Sequence, residues 1–82
     1  MSEKPIAVAE ISELLAKSLG DKVAMTWVLR ACEELGIDGQ RGVTVEQAVQ
    51  VLERIALERG IVGITARFAI SRLHLRLAAA VE

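Results

Sequence analysis

The residues with reactive or metal-binding side chains are few in this sequence of 82 residues, and they lie far apart. Cys32 is the single cysteine and His74 the single histidine, and they occupy opposite halves of the chain. A nucleophilic thiol needs an adjacent base, and a structural zinc site needs about four Cys, His or carboxylate ligands. We therefore expect no catalytic residue, no metal site and no cofactor, and the sequence predicts that the protein is not an enzyme.

The arginines of the C-terminal half are the remaining residues with a chemical role to consider. The segment from Glu53 to Arg76 carries five arginines and two glutamates. Within it, IALERGIVGITARFAISRL resembles the helix-turn-helix motif, in which a small residue precedes a turn glycine by four positions. Ala56 and Gly60 have this spacing, and the resemblance implies that Ile61 is a packed residue of the turn. The resemblance implies that three side chains face the major groove of DNA, namely Thr65, Arg67 and Ser71. An arginine in that position can bind O6 and N7 of guanine.

Four segments with helical spacing of apolar residues must position these side chains. They cover about residues 5–19, 22–35, 45–59 and 64–80. Pro5 is suited to the first position of a helix, and Thr44 and Gln47 have the spacing of a capping box. The segment 37–43 has turn chemistry and no apolar period, so we expect a mobile loop. The sequence thus predicts a single all-α domain over residues 1–82, with two helical hairpins packed as a bundle or an orthogonal array.

The apolar content of the chain predicts an association surface. Hydrophobic residues make up 52% of the sequence, and a domain of this length buries only about 60–65% of its unfolded surface. One cysteine cannot form an intrachain disulfide, so association with another chain is the remaining source of stability. The last helix is apolar on more than one side, which is typical of a helix between two surfaces. The interface candidates are Trp27, Ile64, Phe68, Leu73, Leu75 and Leu77.

These observations favour a small non-enzymatic helical module for protein–protein interaction. It would self-associate, most simply as a homodimer, and could also present its helices to another protein. Arg67, Arg72 and Arg76 would add specificity at the rim of the contact. The alternative is a dimeric DNA-binding regulator that uses residues 52–77, in which Thr65, Arg67, Ser71, Arg72 and Arg76 would contact nucleic acid.

The charge and the N-terminal sequence predict the cellular setting. The net charge of −1 gives no general attraction to nucleic acid or to an anionic membrane. MSEKPIAVAE lacks a basic region followed by a continuous apolar run, so we expect no signal peptide. A single free cysteine agrees with a reducing compartment. The expectation is therefore a cytoplasmic protein with no membrane partner.

Overall fold

Within the part of the chain that it describes, the structure is all-helical, as predicted. The structure is a computed structural model that describes residues 5–81, with side chains for residues 5–76. Its four α-helices are α1 (Val8–Leu19), α2 (Asp21–Leu35), α3 (Val45–Ala56) and α4 (Ile61–Val81). A short 3-10 helix, Gly39–Arg41, lies between α2 and α3.

The four helices enclose one apolar core. α1 packs against α2 and α4, and α3 packs against α2 and α4. Each helix turns a stripe of aliphatic residues inward, as expected for amphipathic helices on a common core. The largest fully buried side chains are Ile11, Leu15, Val28, Val43, Val51, Leu52 and Ile55. Burying a side chain of this size stabilises the folded state by about 1.5–3 kcal/mol.

The N-terminal end of α1 differs from the prediction. The helix begins at Val8, and Pro5 does not occupy its first position. Instead, Ile6 and Val43 form an antiparallel bridge, in which each main-chain N–H donates to the carbonyl of the other at 2.7 and 2.8 Å. Because this bridge holds the backbone of Ile6 extended, the helix cannot start until the chain has passed it.

The segment 37–43 has defined structure that its sequence did not indicate. The Asp38 carboxylate accepts a hydrogen bond from the Gln40 N–H at 3.0 Å and so caps the 3-10 helix. At the end of the segment, the side chain of Val43 is fully buried in the core. The segment is thus anchored at one end by an apolar contact, and its expected mobility stays a prediction.

The N-terminus of α3 has the capping box that its sequence predicts. The Thr44 hydroxyl accepts from the Gln47 N–H, and the Gln47 side-chain carbonyl accepts from the Thr44 N–H, both at 3.0 Å. These two bonds satisfy main-chain groups that the first turn of a helix leaves without partners. α3 accordingly begins at Val45, as expected.

The turn between α3 and α4 lies three residues earlier in the chain than predicted. α3 ends at Ala56 rather than near Arg59, and α4 begins at Ile61 rather than near Ile64. Gly60 makes the turn with φ of +73°, a conformation that side chains with a Cβ rarely adopt. Gly63 lies inside the first turn of α4, packed against the carbonyl oxygens of Glu58 and Ala56. The two glycines together allow α4 to start three residues early.

Candidate interaction surface on helix α4

The outer face of α4 carries an exposed apolar stripe. Four large side chains are exposed on this helix: Ile61 (63%), Ile64 (52%), Phe68 (66%) and Leu75 (71%). Their spacing of three, four and seven residues places them on one side of an α-helix, with Ser71 at the remaining position of the stripe. The opposite side of α4 supplies Ala66, Ala69 and Leu73 to the core. α4 is therefore apolar on two sides, and only one of them is covered.

Arginines flank this stripe on both sides. At about 100° per residue, Arg67 lies along one edge of the stripe, and Arg72 and Arg76 lie along the other. All three side chains are exposed. The sequence of α4 contains no aspartate or glutamate. We call the four apolar residues Ile61, Ile64, Phe68 and Leu75, together with these three arginines, the basic stripe.

The structure divides the predicted interface residues into three groups. Ile64, Phe68 and Leu75 are exposed and share the basic stripe. Leu73 is buried in the chain's own core, so it is not available to a second protein in this conformation. Trp27 is half-buried on α2, where the Arg30 guanidinium lies 5.7 Å from the centre of its ring. The side chain of Leu77 lies outside the described residues.

The exposure of Ile61, which opens the basic stripe, was missed by the sequence reasoning. Leu57, in the turn before it, is 77% exposed. The resemblance to the helix-turn-helix motif placed Ile61 as a packed turn residue. The signal that could have found it is the heptad-like spacing 61, 64, 68 and 75, which requires that α4 start at Ile61.

The residues proposed to contact DNA are not presented together. Thr65 is only 7% exposed, because it lies on the side of α4 that faces the core. Arg67 and Ser71 are both exposed, and the Ser71 hydroxyl donates to the Arg67 carbonyl at 3.5 Å. Beside Arg67, the outward surface of the N-terminal half of α4 is formed by the apolar side chains of Ile64 and Phe68.

One ion-pair network fixes the turn that leads into α4. The Arg54 guanidinium donates to a Glu58 carboxylate oxygen and to a Glu34 carboxylate oxygen, each at 3.0 Å. These two partners, Glu58 first, raise the pKa of Arg54 above its ordinary value. Because Glu34 belongs to α2 and Glu58 to the turn, Arg54 joins α2, α3 and the turn at one point.

The single cysteine and the single histidine lie in different environments. Cys32 is buried on α2, and burial raises the pKa of its thiol. His74 is exposed on α4. Among the described residues, no three His, Cys, Asp or Glu side chains are grouped so that they could hold a metal ion.

A small cleft lies between α1 and α4, beside the basic stripe. Its volume is about 80 Å³, and its lining includes Ile11, Leu73 and Arg76. Pockets that bind small organic ligands usually measure about 300–1,000 Å³. This cleft is thus too small for such a ligand.

Over the described residues, none of the helices combines the length and the apolar character that crossing a bilayer requires. No protein-family model, curated protein or solved structure matches the chain.

Proposed function

We propose that this chain is a small non-enzymatic interaction module that self-associates as a homodimer through the outer face of α4. The observation that supports the proposal is the exposure of the four apolar residues of the basic stripe, namely Ile61, Ile64, Phe68 and Leu75. Removing apolar surface from water is worth about 25 cal/mol per Å². A row of large aliphatic and aromatic side chains on one side of an exposed helix is therefore a source of binding free energy that the folded monomer does not use.

The composition of the stripe also supports a protein partner. Phe68 is the single phenylalanine of the chain, and it lies near the middle of the stripe. Large side chains near the centre of a contact, surrounded by charged residues at the rim, are typical of protein–protein interfaces. Arg67, Arg72 and Arg76 occupy this rim position. The buried, protonated thiol of Cys32 is consistent with the reducing, cytoplasmic setting that we propose for the protein.

Sedimentation equilibrium of the full chain tests this proposal. We expect a monomer–dimer equilibrium at micromolar concentration, in which the dimer fraction rises with the protein concentration. A mass that stays monomeric at 25 °C up to the highest soluble concentration would contradict self-association. Light scattering on the same samples distinguishes a closed dimer from open-ended assembly.

A dimeric DNA-binding regulator using residues 52–77 is the second candidate. It is favoured by the α3–turn–α4 arrangement and by the exposure of Arg67, Arg72 and Arg76 on one helix. The burial of Thr65 and the exposed apolar residues of the basic stripe count against DNA binding. Binding to random-sequence duplex DNA at two salt concentrations tests it, since phosphate contacts weaken steeply as salt rises. Binding that survives Arg67→Ala combined with Arg72→Ala would exclude these arginines as the contacts.

A further inference from the structure

We propose that the basic stripe is covered by a second copy of this chain, and specifically by the solvent-facing side of its α3. The contact is reciprocal, so that α4 of each copy lies against α3 of the other. This inference rests on the proposed self-association and adds which surface meets which. It is carried by the opposite charges of α3 and α4 and by the positions of those charges along the chain.

The solvent-facing side of α3 is acidic and ends in an apolar residue. Glu46, Gln50, Glu53 and Leu57 are all exposed, and their spacing of four, three and four residues places them on one face. We call these four residues the acidic ridge. Among the side chains that the structure describes, the ion pairs are those of Arg54 with Glu34 and Glu58, so Glu46 and Glu53 are available to a partner.

The basic stripe has the complementary character. Its arginines take part in neither of the ion pairs found among the described side chains. α4 has no acidic residue of its own. Glu10 and Glu13 of α1 line the same clefts as Arg72 and Arg76 but form no ion pair with them among the described side chains, so these arginines are open to opposite charge on a partner. The acidic ridge supplies it, and exposed Leu57 matches the apolar residues of the stripe.

Pairing of α4 with α4 of a second copy is disfavoured by the same charges. In a parallel pair, residues five positions apart face each other across the apolar seam, which sets Arg67 of one helix against Arg72 of the other. In an antiparallel pair, residues on the same edge of the two stripes meet, and both edges carry arginine. Like charges opposite each other suppress a contact. α3 therefore fits α4 of a second copy better than α4 itself does.

The spacing of these residues is compatible with two-fold symmetry. In a symmetric dimer, if residue i of one copy meets residue j of the other, then j also meets i. Glu53 lies three residues before the end of α3 at Ala56, and Arg67 lies six residues after the start of α4 at Ile61, so they lie about 5 and 9 Å along their helices from the turn. In a two-fold dimer in which Glu53 of one copy meets Arg67 of the other, this contact therefore forms twice.

Reversal of one charge on each surface tests the inference. Glu53→Arg and Arg67→Glu are prepared separately in the full chain, and dimer dissociation constants are measured by sedimentation equilibrium. Each variant alone opposes like charges twice, so we expect each homodimer to be weaker by at least about tenfold. An equimolar mixture of the two variants restores opposite charges at both contacts, so we expect the mixture to dimerise about as tightly as the wild-type protein.

Matched charge changes on α2 serve as controls. Lys22→Glu and Glu33→Arg alter exposed residues of a helix that packs on α1 and α3, and we expect both to dimerise as the wild type does. Circular dichroism of each variant verifies that the helical fold is retained. If Glu53→Arg and Arg67→Glu dimerise unchanged, or if their mixture stays as weak as either alone, the α3–α4 pairing is wrong while self-association stands. If the wild-type chain is monomeric, the proposed function itself fails.

Discussion

Gly63 of α4, three residues after the turn glycine Gly60, packs directly against the main chain of Glu58. A Cβ atom added at Gly63 would overlap the Glu58 carbonyl oxygen and would lie 3.0 Å from that of Ala56. This contact lets α4 begin at Ile61, and it thereby places Ile61 and Ile64 at the exposed start of the basic stripe. The geometry of the turn and the make-up of the candidate interface thus depend on one glycine.

Gly63→Ala is expected to destabilise the protein, by about 1–3 kcal/mol as for other overpacked sites. The direction of the change in the free energy of unfolding is informative, because replacing glycine with alanine inside a helix ordinarily stabilises a protein by roughly 0.5–1 kcal/mol. Urea unfolding followed by circular dichroism measures the change. Gly60→Asn is the matched control: nothing crowds Gly60, and asparagine tolerates its left-handed conformation. A variant Gly63→Ala that is more stable than the wild type would refute the close packing of the turn.

The capping box of α3 leads to a second prediction. Thr44→Ala removes the hydroxyl that accepts from the Gln47 N–H, so we expect a loss of about 1 kcal/mol in the free energy of unfolding. Thr26→Ala provides the comparison. The Thr26 hydroxyl donates to the main-chain carbonyl of Lys22 within an exposed part of α2, and it caps no helix end. Equal losses for the two variants in urea unfolding would show that the cap is not specifically stabilising.

The buried thiol of Cys32 gives a pH dependence. Burial raises its pKa, so the folded state keeps the thiol proton to higher pH than the unfolded state does. The stabilisation that the neutral buried thiol contributes is therefore fully present below the pKa of the thiol in the unfolded chain, about 8.5. It is lost as pH rises through the pKa of the thiol in the folded protein. The wild-type protein should lose stability above about pH 8.5, relative to Cys32→Ala, in urea titrations from pH 7 to pH 10.

The reactivity of the same thiol is an independent check on its burial. Because the thiolate is the reactive form, an aromatic disulfide reagent at pH 7.5 should react slowly with Cys32 in the folded protein. In denaturant it should react at the rate of a free cysteine. Rapid reaction under both conditions would mean that Cys32 is accessible in the folded chain.

The local part of the fold could be predicted from the sequence. The four helices follow from apolar spacing, and the capping box at Thr44 follows from a two-residue signal that acts within one turn. The bridge between Ile6 and Val43 could not be predicted in this way. It joins residues that lie 37 positions apart in the chain, and neither carries a local signal for strand pairing. Its consequence, the late start of α1, was missed with it.

The candidate surface was predictable only in part. Exposed Phe68 and Leu75 agree with an uncovered side of α4, but the side chains of Thr65 and Leu73 face inward. Their exposure depends on where α4 starts and on how the helix is rotated against its neighbours. Gly63 would ordinarily weaken a helix, and the predicted start of α4 near Ile64 lies just after it. Only the packed turn shows that this glycine belongs inside the helix.

The proposed function depends on the outer face of α4 being the self-association surface. Sedimentation equilibrium of Phe68→Asp beside Leu29→Asp tests this, because both replace an exposed apolar residue but only Phe68 lies on the basic stripe. We expect Phe68→Asp to be monomeric with an unchanged helical spectrum, and Leu29→Asp to dimerise like the wild-type protein. If Phe68→Asp dimerises as tightly as the wild-type chain, the outer face of α4 is not the self-association surface.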